Sequence, residues 1–155
     1  MDTSSTSGQA EGDPLRVIVI GAGQAGLSAA AHLLRKGLQP WREFVVLDGN
    51  DGPGGAWRHR WDSLTFDAAH GIHDLPGFPL GDPDPTEPAS RVVSRYYAAY
   101  ERELGLPVVR PTAATAVERD DDGLFRVTAS DGSVRRAHAV ISATGTWNRP
   151  HWPAY

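Results

Sequence analysis

The chain has 155 residues, of which 40% are hydrophobic and 22% are charged, and its formal net charge is −4. This length suits one domain with its own core, and the negative charge gives no electrostatic basis for binding nucleic acid or an acidic membrane surface. Because the sequence contains no cysteine, it excludes disulfides, thiolate metal sites and a dithiol redox centre within these residues.

The start of the sequence, its apolar stretches and its histidines further limit the class of protein that it can encode. The polar, acidic start predicts a disordered tail at 1–14 and does not resemble a secretory signal. No stretch is apolar over the length of a membrane span, so we expect a cytoplasmic protein without membrane contact. The six histidines are not spaced as metal ligands are, so no metal site is predicted.

The first periodic elements predict the start of a parallel sheet. A short apolar run predicts a buried strand at Arg16–Ile20, and helical spacing of apolar residues predicts a helix at Gln24–Lys36. Gly37 follows where a glycine commonly ends a helix. A second apolar run predicts a buried strand at Phe44–Leu47.

The middle of the chain is irregular from Gly49 to Pro88, where glycine and proline recur among scattered aromatic residues. A long irregular segment in a compact domain is usually functional or disordered, and the aromatic content argues against disorder. The next segment carries apolar side chains on one helical face. It predicts an amphipathic helix at Ser90–Leu104, with Ser90 as its N-cap.

The last third predicts strands. Short strand-like runs occupy Leu106–Arg110, Thr115–Arg119, Leu124–Ala129 and Ser133–Ala137. The intervening turns DDDG and SDG favour hairpins, so we expect an antiparallel meander. A buried strand at His138–Ser142 completes the pattern. The predicted fold class is therefore α/β, a Rossmann-type parallel sheet with an antiparallel β-meander.

One motif points to a nucleotide. The sequence GAGQAG at Gly21–Gly26 is G-x-G-x-x-G between a strand and a helix, where glycines allow a tight turn, a close pyrophosphate and close packing. Asp48 ends the second strand, where a carboxylate accepts hydrogen bonds from ribose hydroxyls. Because the acid repels a 2′-phosphate, we expect FAD or NAD and not NADP. The alternative is a glycine-rich turn that serves packing alone.

Several later motifs complete a family pattern. They are GGAW at 54–57, RWDSLTF at 60–66, LPGFPL at 75–80 and ATGTWNRPHWPAY at 143–155. Together with GAGQAG and the acid after the second strand, they resemble the flavin-containing monooxygenase-like branch of the flavoproteins that have two dinucleotide-binding domains. This branch includes the Baeyer–Villiger monooxygenases. The resemblance spans nearly all of the chain after residue 14.

The resemblance implies FAD as the cofactor of this chain. The residues that it assigns to FAD binding are Gly21, Ala22, Gly23, Gln24, Ala25, Gly26, Asp48, Gly55, Ala56, Trp57, Ala113, Ala143, Thr144 and Gly145. The GAGQAG turn and the ATG segment would hold the pyrophosphate, and Asp48 would hold the adenosine ribose. The GGAW turn would lie along the flavin end, and the backbone of Ala113 would bind the adenine edge.

The resemblance also implies an activity. It is that of an NAD(P)H-dependent flavoprotein monooxygenase, which oxygenates a small molecule through the reaction of reduced flavin with O2. Residues 15–155 would then be the N-terminal part of the FAD-binding domain, with the NADPH domain and the C-terminal part outside the chain.

The sequence leaves the catalytic residues and the oligomeric state unknown. Two alternatives to a monooxygenase stay open. One is a non-oxygenating flavin reductase or oxidase, and the other is an inactive or truncated flavin- or nucleotide-binding module.

Overall fold

The structure, a computed structural model, describes residues 13–147 and residue 153. Its elements in chain order are β1 (Leu15–Ile20), α1 (Gln24–Arg35), β2 (Phe44–Leu47), a 3-10 helix (Gly55–His59), α2 (Ala89–Leu104), β3 (Val108–Val109), β4 (Ala114–Arg119), β5 (Phe125–Ala129) and β6 (Val134–Ser142). Most of the predicted tail at 1–14 and most of the sequence after Trp147 lie outside the described residues.

All six strands form one sheet in the order β3-β2-β1-β6-β5-β4. The first four strands of this order are parallel to one another, whereas β5 pairs antiparallel with both β6 and β4. The α/β class with a Rossmann-type parallel sheet and an antiparallel meander is therefore confirmed. Successive side chains of β1 and β2 alternate between two core clusters, one of which includes the buried residues of α1 and α2.

The meander differs from its prediction in two places. The run at Leu106–Arg110 contributes only Val108–Val109, which pairs parallel with β2 and not with the meander. The runs at Ser133–Ala137 and His138–Ser142 form one continuous strand, whose first half pairs with β5 and whose second half pairs with β1. Both errors have the same cause, because local propensity identifies a strand but not its partner.

The helix α2 begins one residue earlier than predicted and without a side-chain cap. Pro88 occupies the N-cap position and Ser90 is buried inside the first turn, so the prediction of Ser90 as a cap is wrong. The start is fixed instead by Ala89, whose N–H donates to the carbonyl of Leu64 at 2.9 Å. This bond ties the helix to the irregular segment before it.

Tyrosines of α2 hold the irregular segment against the core. The hydroxyl of Tyr96 accepts a hydrogen bond from the N–H of Leu75 at 2.6 Å and donates to the carbonyl of Phe78. The hydroxyl of Tyr100 donates to the carbonyl of Pro76 at 3.1 Å. The segment therefore has little regular secondary structure and still has fixed hydrogen-bond partners.

The described part of the chain shows neither of two kinds of feature, a membrane-spanning helix and a cluster of metal ligands. None of its helices combines the length and apolar character needed to cross a bilayer. Likewise, within 13–147 and residue 153, no three His, Cys, Asp or Glu side chains are grouped as they would be around a metal ion.

We expect Tyr96→Phe to lower the free energy of unfolding by about 2 kcal/mol, because the buried N–H of Leu75 loses its acceptor. Tyr97→Phe is the matched control, since Tyr97 is equally buried and its hydroxyl makes no hydrogen bond among the described residues. The control should change stability by less than about 0.5 kcal/mol. Urea unfolding measures the stability of both variants. Equal losses of stability would contradict the role of the Tyr96 hydroxyl in holding the irregular segment against α2.

Tyr97 should also make the fold sensitive to alkaline pH. Burial, aided by the neighbouring Tyr96, raises the pKa of Tyr97 from 10.0 to about 12. The native state therefore keeps this proton more tightly than the unfolded state does, so the stabilisation is complete below pH 10 and is lost as the pH rises through 12. We expect Tyr97→Phe to lose less stability than the wild type between pH 9 and about pH 12, as measured by urea unfolding at each pH.

Candidate cofactor-binding site

The predicted motifs meet at the carboxyl edge of the parallel strands. The N–H of Gly21, just after β1, donates to the carbonyl of Leu47 at 2.7 Å, and the N–H of Ala143, just after β6, donates to the carbonyl of Ile20 at 2.8 Å. The chain leaves β1 towards β2 on one side, while β6 lies on the other side. In open α/β sheets, ligands bind at such a point of reversed strand order.

Two glycines of the motif are required by packing within the protein. A Cβ atom on Gly21, whose φ is +100°, would lie 2.4 Å from the carbonyl oxygen of Ala143. A Cβ atom on Gly26 would lie 1.8 Å from the carbonyl oxygen of Gly21. Neither position can hold a side chain without moving the backbone, so these glycines bring α1, β1 and the end of β6 into direct contact.

The GGAW turn packs onto the same structure. Gly55 has a φ of +54°, and a Cβ atom there would lie 2.8 Å from the Cα atom of Gly23. Ala56 is exposed, and the half-buried Trp57 packs against the main core cluster. Three segments that are far apart in sequence, at 21–26, 54–57 and 143–145, therefore form one surface.

Gly23, the middle glycine of the motif, has a different environment. A Cβ atom on Gly23 would have no other heavy atom within 4 Å, and its φ of −83° is open to any residue. Neither packing nor backbone conformation therefore requires glycine here. Gly23 is also the N-cap of α1, with neither a side-chain cap nor an acidic residue in the first turn. The open space thus lies at the end of α1 where helices carry free N–H groups and the positive end of the helix dipole.

Asp48 is almost fully buried at the end of β2, with 5% of its surface exposed. Its Oδ2 accepts a hydrogen bond from Nε of Arg110 at 2.6 Å, and its Oδ1 accepts one from Nδ2 of Asn50 at 3.1 Å. A carboxylate offers about four lone-pair sites. Within the described part of the chain, about two of these sites have no side-chain partner, and the predicted binding of ribose hydroxyls by this largely buried carboxylate would use them.

Arg110 links Asp48 to helix α2 and was not predicted from the sequence. Its Nη1 and Nη2 donate to the two carboxylate oxygens of Glu101, each at 2.7 Å. Burial alone lowers the pKa of the Arg110 guanidinium, but hydrogen bonds to Glu101 and Asp48 outweigh it and raise the pKa. Arg110 is therefore a permanent cation. Its 62-residue separation from Asp48 left no local signal of this contact.

The remaining predicted residues lie beside this core of the site. Gly49 approaches Ala113, since a Cβ atom on Gly49 would lie 3.0 Å from that of Ala113. The N–H of Ala113 donates to Oγ of Ser130 at 3.1 Å, and its carbonyl accepts from the N–H of Ser130 at 2.8 Å. An adenine bound by Ala113 would thus share these groups with Ser130. Thr144 and Gly145 are exposed.

Tryptophan rings surround Arg60, the first residue of the RWDSLTF motif, which was not among the predicted FAD-binding residues. The Cζ atom of Arg60 lies 5.7 Å from the ring centroid of Trp57, 5.9 Å from that of Trp61 and 4.6 Å from that of Trp147. These distances suit cation–π attraction. Among the described residues, the buried Nε of Arg60 has no hydrogen-bond partner. Arg60 therefore joins the GGAW turn to the segment after β6.

The fold and this edge define a class of protein. A parallel sheet whose first strand ends in a close-packed glycine turn, with an open helix N-terminus and a buried acid after the second strand, is a dinucleotide-binding domain of the Rossmann type. Comparison with known sequences agrees, because residues 18–155 match the family described as pyridine nucleotide-disulphide oxidoreductase. The chain belongs to this family of oxidoreductases.

Individual relatives include flavin monooxygenases. A solved flavin-containing monooxygenase from Stenotrophomonas maltophilia is 41% identical with a TM-score of 0.77, over 92% of this chain and 42% of that one. A cyclohexanone monooxygenase from Rhodococcus sp. Phi1, solved with NADP+, is 25% identical with a TM-score of 0.73, over 92% of this chain and 28% of that one.

A curated sequence relative agrees with these structures. An uncharacterized CzcO-like oxidoreductase from Geobacillus kaustophilus is 31% identical over 140 residues, which are 90% of this chain and 38% of the relative. The chain thus spans about two-fifths of the length of such relatives. The resemblance to flavin-containing monooxygenase-like flavoproteins is confirmed.

The two kinds of glycine should respond differently to alanine. We expect Gly26→Ala to lower the free energy of unfolding by about 3 kcal/mol, because its Cβ would overlap a backbone carbonyl. Gly23→Ala should lower it by no more than about 1 kcal/mol, since the added methyl group enters open space and the remaining cost is that of alanine at an N-cap. Thermal or urea unfolding measures both variants, and a large loss for Gly23→Ala would show that this glycine serves protein packing.

Proposed function

We propose that residues 15–155 are the FAD-binding part of an NAD(P)H-dependent flavoprotein monooxygenase that acts on a small molecule. The observation that carries this proposal is the space at Gly23. The glycines on either side are fully accounted for by contacts within the protein, whereas Gly23 leaves an opening at the N-terminus of α1. A pyrophosphate of FAD fits such an opening, because it needs close backbone approach and free N–H donors.

The residues around this opening suit the other parts of FAD. In the proposed arrangement, the Gly21–Gly26 turn, including Ala22, Gln24 and Ala25, and the Ala143–Gly145 segment hold the pyrophosphate between them. Asp48 accepts hydrogen bonds from the adenosine ribose through its two remaining lone-pair sites. Its position one residue from Gly49, which contacts Ala113, supports adenine binding at Ala113.

The flavin end is assigned to the GGAW turn. Gly55 packs directly on Gly23, so Ala56 and Trp57 continue the surface that begins at the proposed pyrophosphate position. Trp57 is half-buried in the core cluster and therefore gives this surface a rigid wall. The protein contributes binding, orientation and exclusion of water on this side, which is the usual division of labour between a flavoprotein and its cofactor.

Bound there, FAD would supply electron transfer from NADPH to O2, with oxygenation of the substrate. The relatives support this choice, since they include flavin monooxygenases and one monooxygenase solved with NADP+. A cytoplasmic location and a small-molecule substrate belong to the same proposal.

A disulphide reductase is the alternative that the family's name suggests. Such chemistry needs a pair of cysteines that exchange with the flavin, and these 155 residues contain none. A dithiol centre within these 155 residues is therefore excluded. The choice of a monooxygenase rests on the flavin monooxygenases among the relatives.

The visible spectrum of the purified chain tests FAD binding. Protein expressed with adequate riboflavin, or mixed with FAD and desalted, should show the flavin absorption bands at about 375 nm and about 450 nm. Released cofactor should be identified as FAD by chromatography. A colourless chain that also takes up no added FAD would contradict the proposal.

The Gly23→Ala variant tests the location of the pyrophosphate. We expect its FAD affinity to fall by at least about tenfold, because the added methyl group occupies the space of the ligand, a loss of about 1.4 kcal/mol. Fluorescence titration with FAD measures this affinity. Unfolding in the absence of nucleotide is the control and should show a folded variant that is at most about 1 kcal/mol less stable than the wild type. Unchanged FAD affinity in a fully folded variant would place the pyrophosphate elsewhere.

A further inference from the structure

Three charged side chains from three different parts of the fold meet at Asp48, at one end of the proposed site. Asp48 follows β2, Arg110 follows β3, and Glu101 lies in α2. Their side chains are 6%, 13% and 13% exposed, respectively. Arg110 bonds to both acids, with one N–H on Asp48 and a two-pronged bond on Glu101. The three side chains therefore form one buried, hydrogen-bonded group.

The charges of this group do not cancel. Asp48 and Glu101 carry one negative charge each and Arg110 carries one positive charge, so the group as a whole carries one negative charge. Asp48 and Arg110 without Glu101 would be neutral together, and two nitrogens of the guanidinium would face no acid. Guanidinium groups bind phosphate in the same two-pronged way in which Arg110 binds Glu101.

We propose that Glu101 is a specificity-determining residue that makes the nucleotide site reject a 2′-phosphate, by occupying the phosphate-binding edge of Arg110. This inference rests on the proposed binding of the adenosine ribose by Asp48. A 2′-phosphate on that ribose would lie beside the Asp48 carboxylate and therefore near Arg110. Glu101 occupies the two Arg110 nitrogens that would otherwise bind the phosphate, and it adds a second negative charge to the group.

The role differs from that of Asp48. An acid at the end of the second strand repels a 2′-phosphate only while its own charge is not neutralised. In this protein Arg110 neutralises much of that charge at a distance of 2.6 Å. Glu101 restores the selectivity that this ion pair would otherwise remove, although Glu101 itself need not contact the nucleotide.

The experiment compares ADP-ribose with 2′-phospho-ADP-ribose, which differ by one phosphate. Each is titrated into the nucleotide-free chain by calorimetry at fixed ionic strength, and the ratio of the two dissociation constants is the readout. We expect Glu101→Gln to reduce the preference for ADP-ribose by about tenfold. Glu103→Gln is the matched control, because it removes the same charge from an exposed position of the same helix. Its ratio should equal that of the wild type.

A double variant separates selectivity from structural support. Glu101→Gln combined with Arg110→Gln removes the guanidinium and the acid bound to it, and leaves Asp48 as the only carboxylate of the three. Because Asp48 thereby loses its buried partner, urea unfolding of the nucleotide-free variant is measured alongside to establish that it is folded. We expect this variant to recover a preference for ADP-ribose close to that of the wild type, because the cation that accepts the phosphate is gone. A purely structural role for Glu101 would instead leave the double variant as impaired as the single one.

The outcomes distinguish this inference from the proposed function. If the wild-type chain binds neither FAD nor ADP-ribose, both proposals are overturned. If the chain binds FAD and ADP-ribose, but Glu101→Gln shows the same ratio as Glu103→Gln, only the role of Glu101 is overturned. A double variant that keeps the reduced preference would also overturn it.

Discussion

The structure of the site depends on direct backbone contact between the glycine turn and the end of β6. At Gly21 and Gly26 the space that a side chain would need is taken by carbonyl oxygens. This contact sets the distance between α1 and the sheet, and it brings the residues after β6 beneath the turn. Gly55 then adds the GGAW turn at the same place. An open position at Gly23 is meaningful because its surroundings are packed so closely.

A second constraint fixes the acid end of the site. Asp48 lies in a buried setting where an isolated carboxylate would be costly, and Arg110 removes that cost. Arg110 in turn needs Glu101, since a buried cation with one partner would keep unsatisfied donors. The three residues therefore form a unit that connects β2, β3 and α2. The proposed nucleotide site and the packing of the second helix are coupled through this unit.

The part of the fold that sequence predicts well is the part with local signals. The turn at Gly21–Gly26, the helix after it and the acid at Asp48 follow one another within a single short stretch of sequence, so periodicity and spacing suffice to identify them. Strand partners are not local. The same apolar pattern served β3, which joins the parallel sheet, and the strands of the meander. The bonds of Arg110 to Asp48 and Glu101 could not be predicted from the sequence either, because side chains that pair across different elements have no characteristic spacing along the chain.

The irregular segment shows how these two kinds of information combine. Its composition indicated that it was ordered but gave no reason for the order, which comes from tyrosine hydroxyls of α2 that bind its backbone. The GGAW turn and the segment after β6 appeared as separate motifs, and the ring contacts of Arg60 join them. Since a buried donor of Arg60 stays without a partner among the described residues, this wall is less completely satisfied than the acid end. Under the proposed function, the Asp48 group would lie at the ribose and the Arg60 group near the flavin, so the two ends differ in how completely their buried polar groups are paired.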